Sequence, residues 1–254
     1  MKKQAHLAHY YRYLWEEPGL VVVVGAAAEI SKGFQSYNAR YGVVEDDRQG
    51  HAQLERLFAG AGLAAVSLAE RESWGWSVSL PGSETGLFCA VEPEGMVCGR
   101  CLASSKKEKQ TVVVQRQKEN VPLAQSFFSL QSDDPLQAVE RYFEEAEQSL
   151  VRVAIDDTSR GILIRPLPGG SFDIINGLSD AELIEQWFRV GDEPGIKKLE
   201  EVVLFYECRC NDELILNMLT SLPEKQRREM WHGRSTLDVQ CPRCARRFSV
   251  NRKQ

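Results

Sequence analysis

Two stretches near the C-terminal end, Phe205-Tyr-Glu-Cys-Arg-Cys-Asn-Asp-Glu213 and Leu237-Asp-Val-Gln-Cys-Pro-Arg-Cys-Ala-Arg-Arg-Phe248, decide how this chain is read. They place Cys208, Cys210, Cys241 and Cys244, four of the seven cysteines, within 37 of 254 residues. Core packing does not concentrate thiols in this way. A CxC and a CxxC pair can each approach a metal as a clip, and four thiolates complete a tetrahedral Zn²⁺ site. A segment of about 45 residues buries too little apolar surface to be stable alone, so it calls for such a staple. One zinc per chain is expected, with its binding coupled to folding of the module. Basic neighbours Arg209, Arg243, Arg246 and Arg247 favour thiolates and raise their reactivity toward oxidants. Spacing alone leaves a purely structural site and a redox switch both open.

Charge separates the same segment from the rest. The formal net charge is −5, yet Tyr206 to Gln254 holds ten Lys and Arg against six Asp and Glu, a net of +4, leaving −9 on the preceding 205 residues. A shift of this size marks a domain boundary near residue 205. At 43% hydrophobic and 26% charged residues, the composition is that of a folded protein, which excludes a disordered tail or a small secreted disulfide scaffold. The apolar run Leu20 to Val24, followed by Gly25 to Ala28, is far short of the roughly 20 residues of a membrane helix. The start MKKQAHLAHYYRYLW lacks the apolar stretch of an export signal, so the expectation is a cytoplasmic protein with no membrane partner.

The first two hundred residues read as mixed α and β. Leu20–Val24 has the composition of a buried strand, and Gly50 to Ala69 that of a core helix whose glycines admit a close neighbour. Trp74 to Leu80 alternates as a strand; Gly86 to Leu102 and Gln110 to Gln117 read as further strands, separated by a charged turn at Lys106–Lys109. Ser132-Asp-Asp-Pro135 opens a helix through Leu136, Val139, Tyr142 and Phe143. Strand-like segments follow at Ser149–Ile155 and Gly161–Ile164. Ser179-Asp-Ala-Glu182 then has capping-box spacing ahead of an amphipathic helix. The expected class is α+β: a main domain over 1–176, a helical linker over 177–205 and a C-terminal zinc-binding domain over 206–254.

With these motifs in order, the chain resembles the heat-shock protein 33 family. The CxC motif with Glu213 three residues beyond it, the Thr220-Ser-Leu-Pro223 turn and the CxxC motif leading to Phe248 carry the C-terminal resemblance. Tyr142-Phe-Glu-Glu-Ala-Glu-Gln148 and Gly161-Ile-Leu-Ile-Arg-Pro-Leu-Pro-Gly169 carry it in the main domain. Ala146 and Asn211 stand where the family usually has serine, or serine or threonine. The resemblance implies an ATP-independent, redox-regulated holdase, not an enzyme, whose partners are unfolding client proteins. It also implies oxidative disulfides Cys208–Cys210 and Cys241–Cys244, loss of zinc, unfolding of the switch domain and dimerisation in the oxidised form. On this basis Ile184, Trp187 and Phe188 are candidates for a client-binding surface. The competing expectation is that this helix packs its apolar face on the main domain.

Two rival functions fit parts of the pattern. Arg243, Arg246, Arg247, Arg252 and Lys253 suit a nucleic-acid-binding zinc module, although the main domain is acidic and no base-stacking platform is evident. A zinc-stabilised constitutive holdase without redox switching is the other. Cys98 and Cys101 lie three apart in a strand-like segment, so their side chains face opposite sides; with Cys89 they read as ordinary strand cysteines. His6, His9 and His232 are read as non-ligands. No Ser/His/Asp set, Walker loop or GxGxxG fingerprint is evident.

Overall fold

The computed structural model describes residues 6–44, 48–82, 85–103, 111–191 and 193–251. The apolar run at Leu20 forms strand β2 (Leu20–Ala26), buried along almost its whole length. Its side chains alternate between two cores: Val23 enters one, while Leu20, Val22 and Val24 enter the other. That two-sided burial explains why the run lacks a polar face.

Strand β2 pairs antiparallel with β1 (Ala8–Trp15) and with β9 (Arg160–Pro166), and β9 carries β8 (Arg152–Ile155) at the sheet edge. Beyond β1 lies β10 (Ile196–Tyr206), also antiparallel. A second antiparallel group contains β3 (Ser73–Ser79), β4 (Thr85–Val91), β5 (Met96–Ala103), β6 (Thr111–Gln117) and β7 (Ala124–Ser129). The groups join in one ten-stranded sheet of order β7-β6-β3-β4-β5-β10-β1-β2-β9-β8. The seam between β5 and β10 is parallel and short, pairing only Phe205 with Met96 and Tyr206 with Val97. Phe205 N–H donates to the Gly95 carbonyl at 2.9 Å, and Glu207 N–H to that of Val97 at 3.0 Å. Gly95 has φ +88°, and a Cβ there would lie 2.2 Å from the Val203 carbonyl oxygen, so the seam requires glycine at this position.

Helices α1 (Ala28–Tyr41), α2 (Arg48–Ser67) and α3 (Leu136–Glu145) contribute to the larger core. The small residues of α2 do what the sequence suggests. A Cβ on Gly60 would stand 3.0 Å from Leu136 and 3.1 Å from Val139 of α3. On β3, Trp74 and Trp76 stack at 5.7 Å with Tyr142 edge-on to both. The smaller core lies on the other side of β2, where α4 (Asp180–Trp187) buries Leu183, Ile184 and Trp187 against Leu20, Val22, Ile162 and Ile164. Ser179 and Glu182 make the reciprocal capping bonds expected from their spacing.

The C-terminal module consists of α5 (Asp212–Thr220), α6 (Glu224–Trp231) and the hairpin β11 (Thr236–Gln240)–β12 (Arg247–Asn251). Its Ile215, Leu219, Trp231 and Phe248 belong to the same apolar cluster as Phe34 and Phe58 of the main body.

Segment 177–205, expected as a helical linker, carries α4 in its first half, but its second half lies in β10 at the centre of the sheet. The strand is disguised because Lys197, Lys198, Leu199 and Glu201 are exposed, and alternating burial is confined to Val202, Leu204 and Tyr206. The segment Gly86–Leu102 is two strands, divided by a tight turn in which Gly95 N–H donates to Glu92 O at 2.9 Å. His9, read as a non-ligand, lies on strand β1. The charged turn at Lys106–Lys109 falls outside the described residues.

Candidate metal centre

Strand β10 ends at Tyr206, so the central sheet delivers Cys208 and Cys210 directly to the module. Asn211 caps α5 by accepting a hydrogen bond from Leu214 N–H at 2.8 Å. The departure from Ser or Thr at that position therefore keeps a capping side chain. Cys241 and Cys244 lie in the turn between β11 and β12. That turn is closed by Cys241 N–H to Arg246 O at 2.8 Å and Ala245 N–H to Cys241 O at 3.0 Å, with Ala245 in the left-handed region at φ +63°.

All four thiols are buried, and their sulfurs lie within 4.8 Å of one another. A tetrahedral zinc with bonds of about 2.3 Å separates its sulfurs by about 3.8 Å, so the set has the right donors at nearly the right spacing. Packing alters the thiols unequally. Contacts with Cys210, Cys241, Cys244 and Cys98, and then burial, push Cys208 up. Contact with Cys208 leads the effects that pull Cys241 down; the same contact leads those that lower Cys244, which falls to about 7. Four thiolates so close together need a cation among them, and zinc supplies two positive charges.

Helix α1 and the strands β4 and β5 supply the surroundings of the centre. The Tyr37 hydroxyl, on α1, stands 3.3 Å from Cys244 Sγ and 3.6 Å from Cys210 Sγ. Arg100 Nη1 of β5 donates to the Cys241 carbonyl at 3.4 Å. Glu92, just beyond β4, is 7% exposed and binds Arg243; Arg209 approaches it at 3.6 Å and also pairs with Glu94. Burial alone would raise the Glu92 carboxyl. Hydrogen bonds from Ser73 and Arg243, with the charges of Arg243 and Arg209, hold it below its ordinary value. The Arg246 guanidinium lies 4.0 Å from the Tyr41 ring centroid and 4.6 Å from that of Phe248.

These contacts change the reading of the basic residues. Arg209 and Arg243 are committed to carboxylates, and Arg246 is stacked between rings, so they do not form an open phosphate-binding face. Arg247 is exposed, while Arg252 and Lys253 lie outside the described residues. His6 pairs with Glu29 and His9 with Glu201, and His232 ends α6; none joins the four cysteines. Cys89 and Cys98 are buried in strands, and Cys101 is half-buried. Cys98 nevertheless adjoins Cys208, which sequence spacing did not reveal because the seam between β5 and β10 creates the contact. Tyr37 and Glu92 were also missed. Neither lies near a cysteine in sequence, and neither residue type signals a metal site by itself.

Ile184 and Trp187, candidates for client contact, are 2% and 1% exposed in the smaller core. Phe188 is half-buried, with Arg160 over its ring at 5.3 Å. In this state α4 packs as the amphipathic pattern suggests. No helix among the described residues is long and apolar enough to cross a membrane.

Fold and centre together define a mixed α/β protein with a C-terminal four-cysteine module. A family model described as Hsp33 protein matches residues 50–251, and the chain belongs to the Hsp33 family. It is 24% identical over 150 residues to a 33 kDa chaperonin of Hahella chejuensis, covering 51% of this chain and 53% of that protein. It is 26% identical over 141 residues to a 33 kDa chaperonin of Chromobacterium violaceum, covering 49% and 48% respectively. The matched segment thus spans about half the length of these curated relatives. A crystal structure of the 33 kDa chaperonin (heat shock protein 33 homolog) from Thermotoga maritima shares the fold, with a TM-score of 0.68 at 17% identity, covering 97% of this chain and 95% of that one.

Proposed function

We propose that this protein is an ATP-independent, redox-regulated holdase of the cytoplasm, with one Zn²⁺ held by Cys208, Cys210, Cys241 and Cys244. The observation that carries the reading is the buried set of four sulfurs within 4.8 Å, held against the main body of an Hsp33-family chain. The cysteines would bind zinc as thiolates, and zinc would staple the module. Hydrogen peroxide would oxidise the Cys208–Cys210 and Cys241–Cys244 pairs. In each pair two thiolate sulfurs give up one electron each and form an S–S bond; the O–O bond breaks and, with two protons, two waters form. A disulfide is a far poorer ligand, so zinc leaves.

Loss of the staple would free the module, and release of β10, which joins α4 to Cys208 along the chain, would loosen α4 on the opposite face of the sheet. Withdrawal of α4 would uncover Ile184, Trp187 and Phe188, with the face of β2 and β9, for unfolding client proteins. Exposed apolar surface also supports dimerisation of the oxidised form.

One observation favours a second reading, a zinc-stabilised constitutive holdase. The CxC pair follows directly on a strand fixed in the middle of the sheet, which restrains unfolding of the segment before it. One experiment separates the two. Zinc release, free thiols and suppression of client aggregation are followed on the same sample under peroxide with mild warming. Release of about one zinc per chain together with onset of suppression supports the switch. Suppression already present in the reduced protein supports the constitutive form. Retained zinc and unchanged activity reject the switch.

A further inference from the structure

We infer that Tyr37, from the first helix of the main domain, tunes the four-cysteine centre by donating its hydroxyl hydrogen to the sulfurs of Cys244 and Cys210. The inference rests on the metal reading above and deepens it. Tyr37 is 2% exposed, and its hydroxyl oxygen lies 3.3 Å from one sulfur and 3.6 Å from the other. Its ring is clamped between Tyr41 at 4.6 Å and Tyr206 at 5.3 Å, which fixes where the hydroxyl points. Backbone spacing supports the clamp. A Cβ on Gly33, one turn earlier in α1, would lie 2.9 Å from Tyr206 Cβ, so glycine permits this approach of α1 to the end of β10.

A metal-bound thiolate has no hydrogen to give, so the tyrosine O–H must be the donor. Donation to a thiolate withdraws electron density from sulfur and weakens it as a nucleophile toward peroxide. It also offsets part of the −2 charge of a zinc tetrathiolate. Tyr37 therefore acts as a positioning and tuning residue. It holds the oxidation rate of Cys210 and Cys244 below that of the bare centre and ties the sulfurs to the main domain. Conversion of Cys210 and Cys244 to disulfides removes both thiolate acceptors and leaves the buried hydroxyl without its strongest partners. Loss of the centre is thereby felt directly by α1.

The test compares the full-length wild type with Tyr37→Phe, which keeps the ring. Tyr206→Phe is the control, because its hydroxyl donates to the Gly99 carbonyl at 2.8 Å rather than to sulfur. Circular dichroism checks that each variant folds. Cobalt(II) alone is used as the metal probe, and zinc release by peroxide is timed with a chromogenic chelator. The expected result is that Tyr37→Phe shifts the thiolate-to-cobalt charge-transfer band to longer wavelength and speeds zinc release by about threefold or more. Tyr206→Phe leaves the band in place. A wild-type band that Tyr37→Phe reproduces unshifted, with an equal release rate, overturns the role of Tyr37 and leaves the metal site standing. Equal shifts in both variants also overturn it, because loosened packing then suffices. A wild-type protein that gives no thiolate-to-cobalt band overturns the metal reading and this inference with it.

Discussion

The carboxylate of Glu92, buried at the end of a central strand, is bound by Arg243 from the turn that lies between Cys241 and Cys244. One ion pair thus joins the main sheet to the CxxC turn. Glu92→Gln keeps the shape and removes the charge. It is expected to lower stability by about 1.5–3 kcal/mol at neutral pH, the range for a hydrogen bond to a charged group. Urea unfolding of both proteins measures it, and equal midpoints would sink the idea.

The same carboxylate predicts a pH dependence. Its folded pKa lies below the ordinary value of 4.5, so its contribution is complete above about pH 4.5 and is lost as pH falls through the folded value. The stability difference between wild type and Glu92→Gln should therefore be constant from pH 7 to 5 and shrink toward pH 3. Taking the difference cancels the acid sensitivity that both proteins share through their thiolates. A gap that stays constant into acid would contradict the assignment.

Ala245 holds φ +63°, a conformation that costs an L-residue about 1–2 kcal/mol and glycine almost nothing. Ala245→Gly should stabilise the CxxC turn by about 0.5–1 kcal/mol after allowing for the greater freedom of glycine in the unfolded chain. The readout is a higher melting temperature of the reduced protein, with metal content unchanged. A lower one would show that the methyl group does more good in packing than harm in the backbone.

Chelation under reducing conditions should separate the module from the sheet. Amide hydrogen exchange is expected to rise across residues 207–251, while β2 and β9 stay protected. Unchanged protection after complete metal removal would show that the module folds without a staple.

Trp187→Ala tests the cover over the smaller core. Trp187 packs against Trp15 at 5.5 Å and Tyr13 at 5.9 Å. Its truncation should cost about 3–5 kcal/mol. Dye binding to apolar surface, and aggregation suppression without oxidant, should both increase. Loss of stability with neither increase would count against α4 as the cover of a client surface.

The convergence of Cys208, Cys210, Cys241 and Cys244 was legible because two closely spaced cysteine pairs within 37 residues have few other physical uses. The further CxxC at Cys98 and Cys101, by contrast, lies in a strand that turns the two side chains to opposite faces. The buried strand at Leu20 and the capping box at Ser179 were legible for similar reasons: each is a local pattern with one physical solution. Strand β1 was not, because His9, Tyr11 and Tyr13 give its outer positions polar or amphipathic side chains. Strand β10 was obscured by a run of exposed charges whose alternation starts only at Val202. The surroundings of the centre were least visible, since Tyr37, Glu92 and Cys98 reach it only through tertiary packing and the two-residue seam.

That β1 pairs with β10, Ala8 opposite Leu204, also sets an order of events during synthesis. The sheet cannot close until β10, ending at Tyr206, has been made, and pairing so distant in sequence is slow to form. Before then, β1 and β5 both await their common neighbour and present open backbone edges of the kind that recruit other chains. The residues that close this gap are followed at once by Cys208. A nascent copy therefore completes its sheet before Cys241 and Cys244 have been made, so on the zinc reading proposed above, zinc starvation should leave the sheet intact and disturb only the four-cysteine module.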